Sequence, residues 1–293
     1  MQIRKLLVTH HSPDLDAIGA VWMLIRFDAQ HYATARFAFV NPGESLSIPE
    51  IERTGVEPHE VTHVDTGMGE FDHHQTDRGQ AYLSATKLTY EHVVSLHPEL
   101  AEDAALHELS DFITEIDHFR EIYWPDADNI RYSFMLHELI RGSEFGHTQD
   151  DEAQLRFGLQ CLDYAYSGLI QQVSAQKEIE TIGNPFEVSF GPCLALETSN
   201  DDTIKLGQKK GYMLVVKKDP KLGNIRIKVR PDAPVTLEKL RDAIEKVDPI
   251  GTWYYHPSGK MLINGSQKHR NQTASPLSLA QVTKLIESTY GEA

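Results

Sequence analysis

The sequence predicts an α/β protein: an N-terminal unit built on a parallel sheet, a long helix, and a smaller mixed α/β unit. Three observations predict it. Over the first 120 residues short apolar runs alternate with amphipathic stretches, the pattern of strands and crossover helices in a parallel sheet. The stretch 150–183 lacks proline and keeps Leu155, Leu159, Leu162, Tyr166, Leu169, Ile170 and Val173 at helical spacing. Charge also changes sign along the chain. Residues 1–202 carry 12 Lys+Arg against 35 Asp+Glu, a net of −23, whereas residues 203–293 carry 16 against 8, a net of +8. The boundaries expected are 1–148, a connecting helix at 149–184, and 185–293.

The elements follow in order. Residues 3–9 (IRKLLVT) read as a buried strand and 15–27 (LDAIGAVWMLIRF) as the helix after it. A strand at 36–40, a short helix at 48–54 and a strand at 60–65 come next, then helices at 83–96 and 103–122, with helices on both faces of the sheet. The long helix ends at Gly183-Asn184-Pro185, a helix stop. Strand-like runs follow at 186–190, 193–197, 212–218 and 224–230, then a helix at 235–247, short strands at 252–256 and 260–264, and a closing helix at 277–289.

Composition narrows the class. A chain of 293 residues with 40% hydrophobic and 24% charged content has the makeup of a soluble globular protein with two cores. No apolar run approaches 18 residues, so no membrane span or membrane partner is expected. The opening MQIRKLLVTHHSPD reads as a strand and not as a signal peptide. Cys161 and Cys193 make neither a disulfide framework nor a zinc-finger spacing, so a reducing cytoplasm is the expected compartment. A net charge of −15 argues against a general nucleic-acid binder. The acidic half suits cations and the basic half an anion, although most of the carboxylates read as ordinary solvated surface.

Four segments carry chemistry. His10-x-x-x-Asp14-x-Asp16 follows the first strand directly, Asp65 closes the third, Asp72-His73-His74 comes seven residues on, and Asp117 lies in the helical TEIDHF. In an open parallel sheet ligands gather outside the carboxyl ends of the strands. Hard divalent cations take carboxylate oxygen with imidazole, and a carboxylate such as Asp65 can bridge two of them. No segment is decisive by itself; their ordered conjunction points to metal binding.

These segments resemble the ordered motifs of the DHH phosphoesterase superfamily over roughly residues 1–120. THHSPDLDAIGA is similar to its first motif, Asp65 to the second, FDHHQT to the third and Asp117 to the fourth, with Asp111 as the fallback. The resemblance implies that His10, Asp14 and Asp65 hold one divalent cation, and that Asp16, Asp65, His73 and Asp117 hold the other. Manganese is the ion expected, magnesium the alternative. It further implies that His74 faces the substrate phosphate as donor or general acid, with Asp72 orienting the histidine pair. The run VDTGMGEFDHHQT and the tail GTWYYHPSGKMLINGSQKHR resemble the exonuclease branch named after the melanocyte-proliferating gene. The first motif differs from that branch, and the GGH-type signature common in the superfamily's other C-terminal domains is missing.

In the basic part His256, Gly259, Lys268 and Arg270 are the candidate phosphate-binding residues. Alternation puts Arg226, Lys228 and Arg230 on one strand face, where a solvated sheet is the plainer reading. His11, His63 and His118 neighbour the motif residues and read as packed, exposed or supporting groups; Trp253, Tyr254 and Tyr255 are available for base stacking or for the core. The expectation is a catalytic 1–148 and a substrate-binding 185–293 acting as a two-metal phosphodiesterase or exonuclease on short oligonucleotides or cyclic dinucleotides. The alternatives are an inorganic pyrophosphatase, a metal-binding regulatory protein without catalysis, and a basic nucleic-acid-binding module. A homodimer is compatible with the sequence, which leaves the oligomeric state open.

Overall fold

The apolar run at the start of the chain becomes strand β1 (Leu6–His10), the middle strand of a three-stranded parallel sheet. The computed structural model describes residues 5–146, 150–265 and 271–291. It divides into two units, residues 1–169 and 170–293, with the division inside one long helix.

In the first unit β1 leads into α1 (Leu15–Phe27), followed by a single turn of helix, α2 (Ala29–Tyr32), and strand β2 (Arg36–Val40). Helix α3 (Ile48–Thr54) carries Pro49 in its first turn and a Ser47/Glu50 capping box. It precedes β3 (Val61–His63). The sheet order is β2-β1-β3, with Leu6 opposite Arg36 on one side and Val61 on the other. The chain therefore leaves β1 for one neighbour and returns on the opposite side. That reversal opens a crevice outside the carboxyl ends of β1 and β3.

On one side Leu6 and Val8 pack with Val40 and Val56, supported by Ala38, Leu46 and Val61. Helix α1 is buried all round from Leu15 to Leu24, the signature of a central helix. It packs on α4 (Ala85–Leu96), α5 (Ala104–Asp117) and α6 (Leu136–Gly146). Gly19 permits the close approach, because a Cβ there would stand 2.4 Å from Thr86 Oγ1 and 2.8 Å from Ile113 Cδ1.

Three expectations need correction. The third strand is shorter than 60–65: it spans Val61–His63, Val64 still donates to the Val8 carbonyl of β1 while bridging Phe71, and the Asp65 amide turns away to the Phe71 carbonyl. The helix expected over 103–122 stops at Asp117, since Phe119 turns left-handed and a 3-10 turn covers 120–123. Residues 117–124 contain no glycine or proline to announce that stop. Helix α6 follows a 3-10 turn at 130–134 and is absent from the expected elements.

Helix α7 (Asp151–Ile182) leads to β4 (Asn184–Val188) and β5 (Gly191–Glu197). Then come α8 (Asp202–Lys209), β6 (Leu214–Lys218), β7 (Ile225–Val229), α9 (Glu238–Val247), β8 (Tyr254–Tyr255), β9 (Met261–Asn264) and α10 (Leu279–Tyr290). The six strands form one mixed sheet, β4-β5-β6-β7-β9-β8. Only β5 and β6 run parallel, and α8, a second helix that the sequence does not announce, is the crossover such a pair needs. One face of this sheet packs on α9 and α10 through Leu214, Val216, Ile227, Leu240, Ile244, Val282 and Ile286. The other holds Leu194, Val215, Ile204 of α8 and Ile179 of α7. No helix among the described residues is long and apolar enough to cross a membrane.

Candidate metal centre

His10 is the last residue of β1, and Asp65 lies two residues beyond β3, so the sheet register brings them to one crevice. His10 Nδ1–H donates to the His11 carbonyl at 2.8 Å, which fixes the tautomer and leaves Nε2 facing Asp65 Oδ2 at 3.3 Å. The turn after β1 is tied down by Asp151 at the start of α7, which accepts from the Ser12 amide at 2.7 Å and pairs with His11 at 2.6 Å. His11 thus serves the turn and stays outside the cluster.

Asp14 caps α1, its Oδ1 accepting from the Asp16 and Ala17 amides at 3.0 Å. Asp16, in the first turn of the same helix, points to the start of α4. Its two oxygens accept from the Ala85 and Thr86 amides at 2.7 and 2.8 Å, where the helix dipole favours negative charge. His73 Nε2 stands 3.5 Å from Asp65 Oδ1, 3.6 Å from Asp117 Oδ2 and 3.8 Å from Asp16 Oδ2. Three groups of ligand atoms lie within 4.8 Å of one another: His10, Asp14 and Asp65; Asp16, His73 and Asp117; and Asp65, His73 and His74. Asp111 is elsewhere, paired with Lys87 at 2.6 Å and His107 at 3.4 Å.

The electrostatics are those of crowded carboxylates. Burial raises the Asp16 carboxyl well above the usual range, and Asp65, Asp117 and Asp14 add to it. Burial and the Asp65 and Asp14 charges push Asp117 up to about 6, against the pull of His73. Burial would lower His10 and His73, but the adjoining carboxylates outweigh it and push both up to about 9. Burial would raise Asp65, but His10 and His73 hold it below its ordinary value.

Two buried atoms, Asp65 Oδ1 and His73 Nε2, have no hydrogen-bond partner. The gaps of 3.5–3.8 Å around them are long for hydrogen bonds. They are close to the spacing of neighbouring ligands on one cation, which at bonds of about 2.1 Å is roughly 3 Å. A bare divalent ion is smaller than the water these atoms exclude. The donor set of carboxylate oxygen and imidazole therefore fits divalent metal.

Backbone strain gathers at the same place. Asp65 and Met68 have φ of 54° and Ser12 has φ of 50°, conformations rare outside glycine and often found at functional sites. Asp72 holds the Met68 turn together. It is fully buried and accepts from the Met68 amide at 2.7 Å, the His74 amide at 3.1 Å and His74 Nδ1 at 2.8 Å. Asp72 orients His74 alone and makes no bond to His73, a narrower role than expected. Arg78, which nothing in the sequence singles out, donates to the Glu70 and Asp72 carbonyls at 2.9 and 3.0 Å and braces the loop. Removing the Asp72 carboxylate strands two amides. Asp72→Ala is expected to cost about 3 kcal/mol, measured by denaturant unfolding; an unchanged midpoint would show that the loop is held by other contacts.

His63 Nε2 accepts from the Leu46 amide at 3.1 Å, and burial lowers its pKa; it is a packing group. His118 Nε2–H donates to the Leu83 carbonyl at 2.9 Å. In the second unit His256 and Gly259 form the turn between β8 and β9. His256 Nδ1 accepts from the Ser258 amide at 3.1 Å, and Gly259, at φ 72°, donates to the His256 carbonyl at 2.9 Å. Arg226 and the buried Lys217 both pair with Asp201, and Arg230 pairs with Asp232 at 2.6 Å. Lys268 and Arg270 lie outside the described residues.

No protein-family model and no curated protein matches the chain. Solved structures do. RecJ from Thermus thermophilus in complex with Mn²⁺ is similar at 11% identity over 97% of this chain and 52% of that one, with a TM-score of 0.33. Its Mg²⁺ complex is similar at 12% identity over 97% and 49%, with a TM-score of 0.34. An exonuclease RecJ bound to manganese is similar at 11% identity over 97% and 89%, with a TM-score of 0.30. The chain spans about half the length of the first two.

Proposed function

We propose that the protein is a divalent-metal-dependent phosphoesterase of the DHH type, acting as a phosphodiesterase or exonuclease on short oligonucleotides or cyclic dinucleotides. One observation carries the reading. His10, Asp14, Asp16, Asp65, His73 and Asp117 converge at the carboxyl ends of β1 and β3 and leave Asp65 Oδ1 and His73 Nε2 buried without partners. His10 and Asp14 with Asp65 would hold one ion, and Asp16, His73 and Asp117 with Asp65 the other. Manganese is the expected ion and magnesium the alternative. Such ions supply Lewis-acid stabilisation of phosphoryl oxygen and a water acidic enough to act at neutral pH.

The chain's own groups supply the rest. The His11 carbonyl and the N-terminus of α4 fix His10 and Asp16, so the ligands need no rearrangement. His74 differs from its neighbour: its side chain is 55% exposed where that of His73 is 12% exposed. Because Asp72 takes Nδ1–H, the other ring nitrogen is left to meet substrate. There it would donate to a phosphoryl or leaving-group oxygen.

His74→Ala is expected to lower kcat by on the order of 10²–10³ while both ions stay bound, measured by turnover and by metal content. Loss of an ion would make His74 a ligand, as its proximity to Asp65 and His73 allows. The reading itself is tested by a hydrolysis panel in Mn²⁺ and Mg²⁺ with cyclic dinucleotides, short RNA and DNA, and pyrophosphate. Cleavage of phosphodiesters abolished by chelation supports it. Cleavage of pyrophosphate alone selects the pyrophosphatase, and metal uptake with no turnover of any substrate selects a regulatory protein.

A further inference from the structure

The turn that ends α5 carries groups for which the metal centre has no use. Immediately after Asp117, the His118 ring lies 6.5 Å from the His73 ring and 4.7 Å from that of Tyr82. The guanidinium carbon of Arg120 stands 4.7 Å from the centre of the Tyr82 ring, a cation–π contact. Rings thus lead step by step from the metal-facing His73 to an exposed cation.

Arg26, Arg131, Arg141 and Arg156 each pair with a carboxylate, Asp163, Asp126, Glu138 and Glu152 respectively. Arg36 and Arg78 bond backbone carbonyls. Among the described arginines of this unit Arg120 shares with Arg53 the lack of a side-chain hydrogen bond or ion pair, but alone of the two lies over a ring, that of Tyr82. A half of the chain with 35 carboxylates and 12 cations offers counterions freely, yet this guanidinium is stacked with its N–H groups unused. Stacking fixes the plane of the fork, which lowers the ordering cost of gripping an oxyanion with two parallel bonds.

We propose that Arg120, carried on Tyr82, binds a second phosphate of the substrate beside the one at the metal centre. This rests on the phosphoesterase reading and narrows its substrate class to nucleotide chains with at least two phosphates. Two rings, those of His118 and Tyr82, stand between His73 and Arg120. Phe119, on the same turn, is 72% exposed and lines a cavity of about 440 Å³ with Asp14, Asp16 and Asp117. It gives a base on the metal side of the turn a face to stack on, in a cavity that Arg120 and Tyr82 do not line.

The test compares wild type, Arg120→Ala, Arg120→Lys, Tyr82→Phe and Tyr82→Ala. The substrates are a 5′-phosphorylated trinucleotide and the p-nitrophenyl ester of thymidine 5′-phosphate, which has one phosphate. Arg120→Ala should raise KM for the trinucleotide roughly tenfold with kcat unchanged, and leave the single-phosphate ester unaffected. Arg120→Lys should recover part of the loss. Tyr82→Phe should be silent, and Tyr82→Ala should share the defect because the guanidinium is no longer held. Equal effects on both substrates, or none on either, would overturn the proposal. Anisotropy of a labelled trinucleotide, with Ca²⁺ in place of Mn²⁺, separates this from the function itself. If wild type hydrolyses neither ester, the phosphoesterase reading fails, and binding still decides Arg120: weakened by Arg120→Ala it stands, unchanged it falls.

Discussion

Asp65→Asn is expected to abolish hydrolysis, a loss of at least about 10³ in kcat/KM, and to remove both ions while the fold survives. Asp65 alone touches both halves of the cluster, with Oδ2 at 3.3 Å from His10 Nε2 and Oδ1 at 3.5 Å from His73 Nε2. Asparagine keeps the shape but surrenders the charge and replaces one oxygen by a donor. It is also, with aspartate, the side chain best able to occupy the left-handed backbone that position 65 requires, so the variant isolates chemistry from conformation. A readout without turnover is available. In ion-free protein His10 is pushed up to about 9, against burial, in large part by Asp65, so its titration by NMR should fall by more than a unit in the variant. Two ions retained with normal turnover would mean that Asp65 is a structural acid, and that the bridging role belongs to no residue of this cluster.

Much of this cluster was legible because the residue types able to hold a metal are a restricted set and a parallel sheet confines such groups to strand ends. His10, Asp14 and Asp16 are read from the junction of an apolar run and a helix, and that junction stands where expected, with α1 over Leu15–Phe27. Asp65 was harder. It lies beyond the paired strand in a strained turn, which no periodicity reports. Asp117 was placed mid-helix, whereas it is the last residue of α5, held by a stop that local composition does not announce.

What escaped the sequence is mostly long-range. The amides of Ala85 and Thr86 reach Asp16 across nearly seventy residues, made possible by Gly19, which reads in sequence as a weak spot in a helix. Arg78 holds the loop through carbonyl oxygens, partners that every sequence offers everywhere. Helix α8 has only a short apolar stripe, Thr203, Ile204 and Gly207 being its buried residues. The need for it comes from the parallel pairing of β5 with β6. The basic stripe had the opposite fate: its regular spacing was plain, and the structure shows Arg226 and Arg230 engaged by Asp201 and Asp232.

Ion-free protein is expected to lose stability as pH rises from 6.5 to 8, and Mn²⁺ to restore more of it at the higher pH. His10 and His73 are pushed up to about 9 in the folded state, against about 6.5 unfolded. A raised histidine contributes stability that is full below the unfolded value and disappears as pH climbs through the folded one. For a shift of this size the contribution is roughly 3 kcal/mol per histidine, an upper bound because both draw on Asp65. Asp117, raised to about 6, acts at lower pH: its cost starts near the unfolded value and is complete above 6, so it adds nothing to the slope beyond. Bound ions reverse the dependence. An imidazole must lose its proton to act as a ligand, so affinity should rise about tenfold per pH unit for each histidine displaced of a proton. Thermal unfolding at pH 6.5 and 8.0, with chelator and with Mn²⁺, should show a larger Mn²⁺ shift at pH 8.0. Calorimetry in two buffers of different ionisation enthalpy should detect protons released when both places fill, from His10 and His73 and from the raised Asp16 carboxyl. Ion-free protein that grows more stable over this range, and takes up Mn²⁺ with no proton release, would mean that the histidines are neutral and do not hold the carboxylates together.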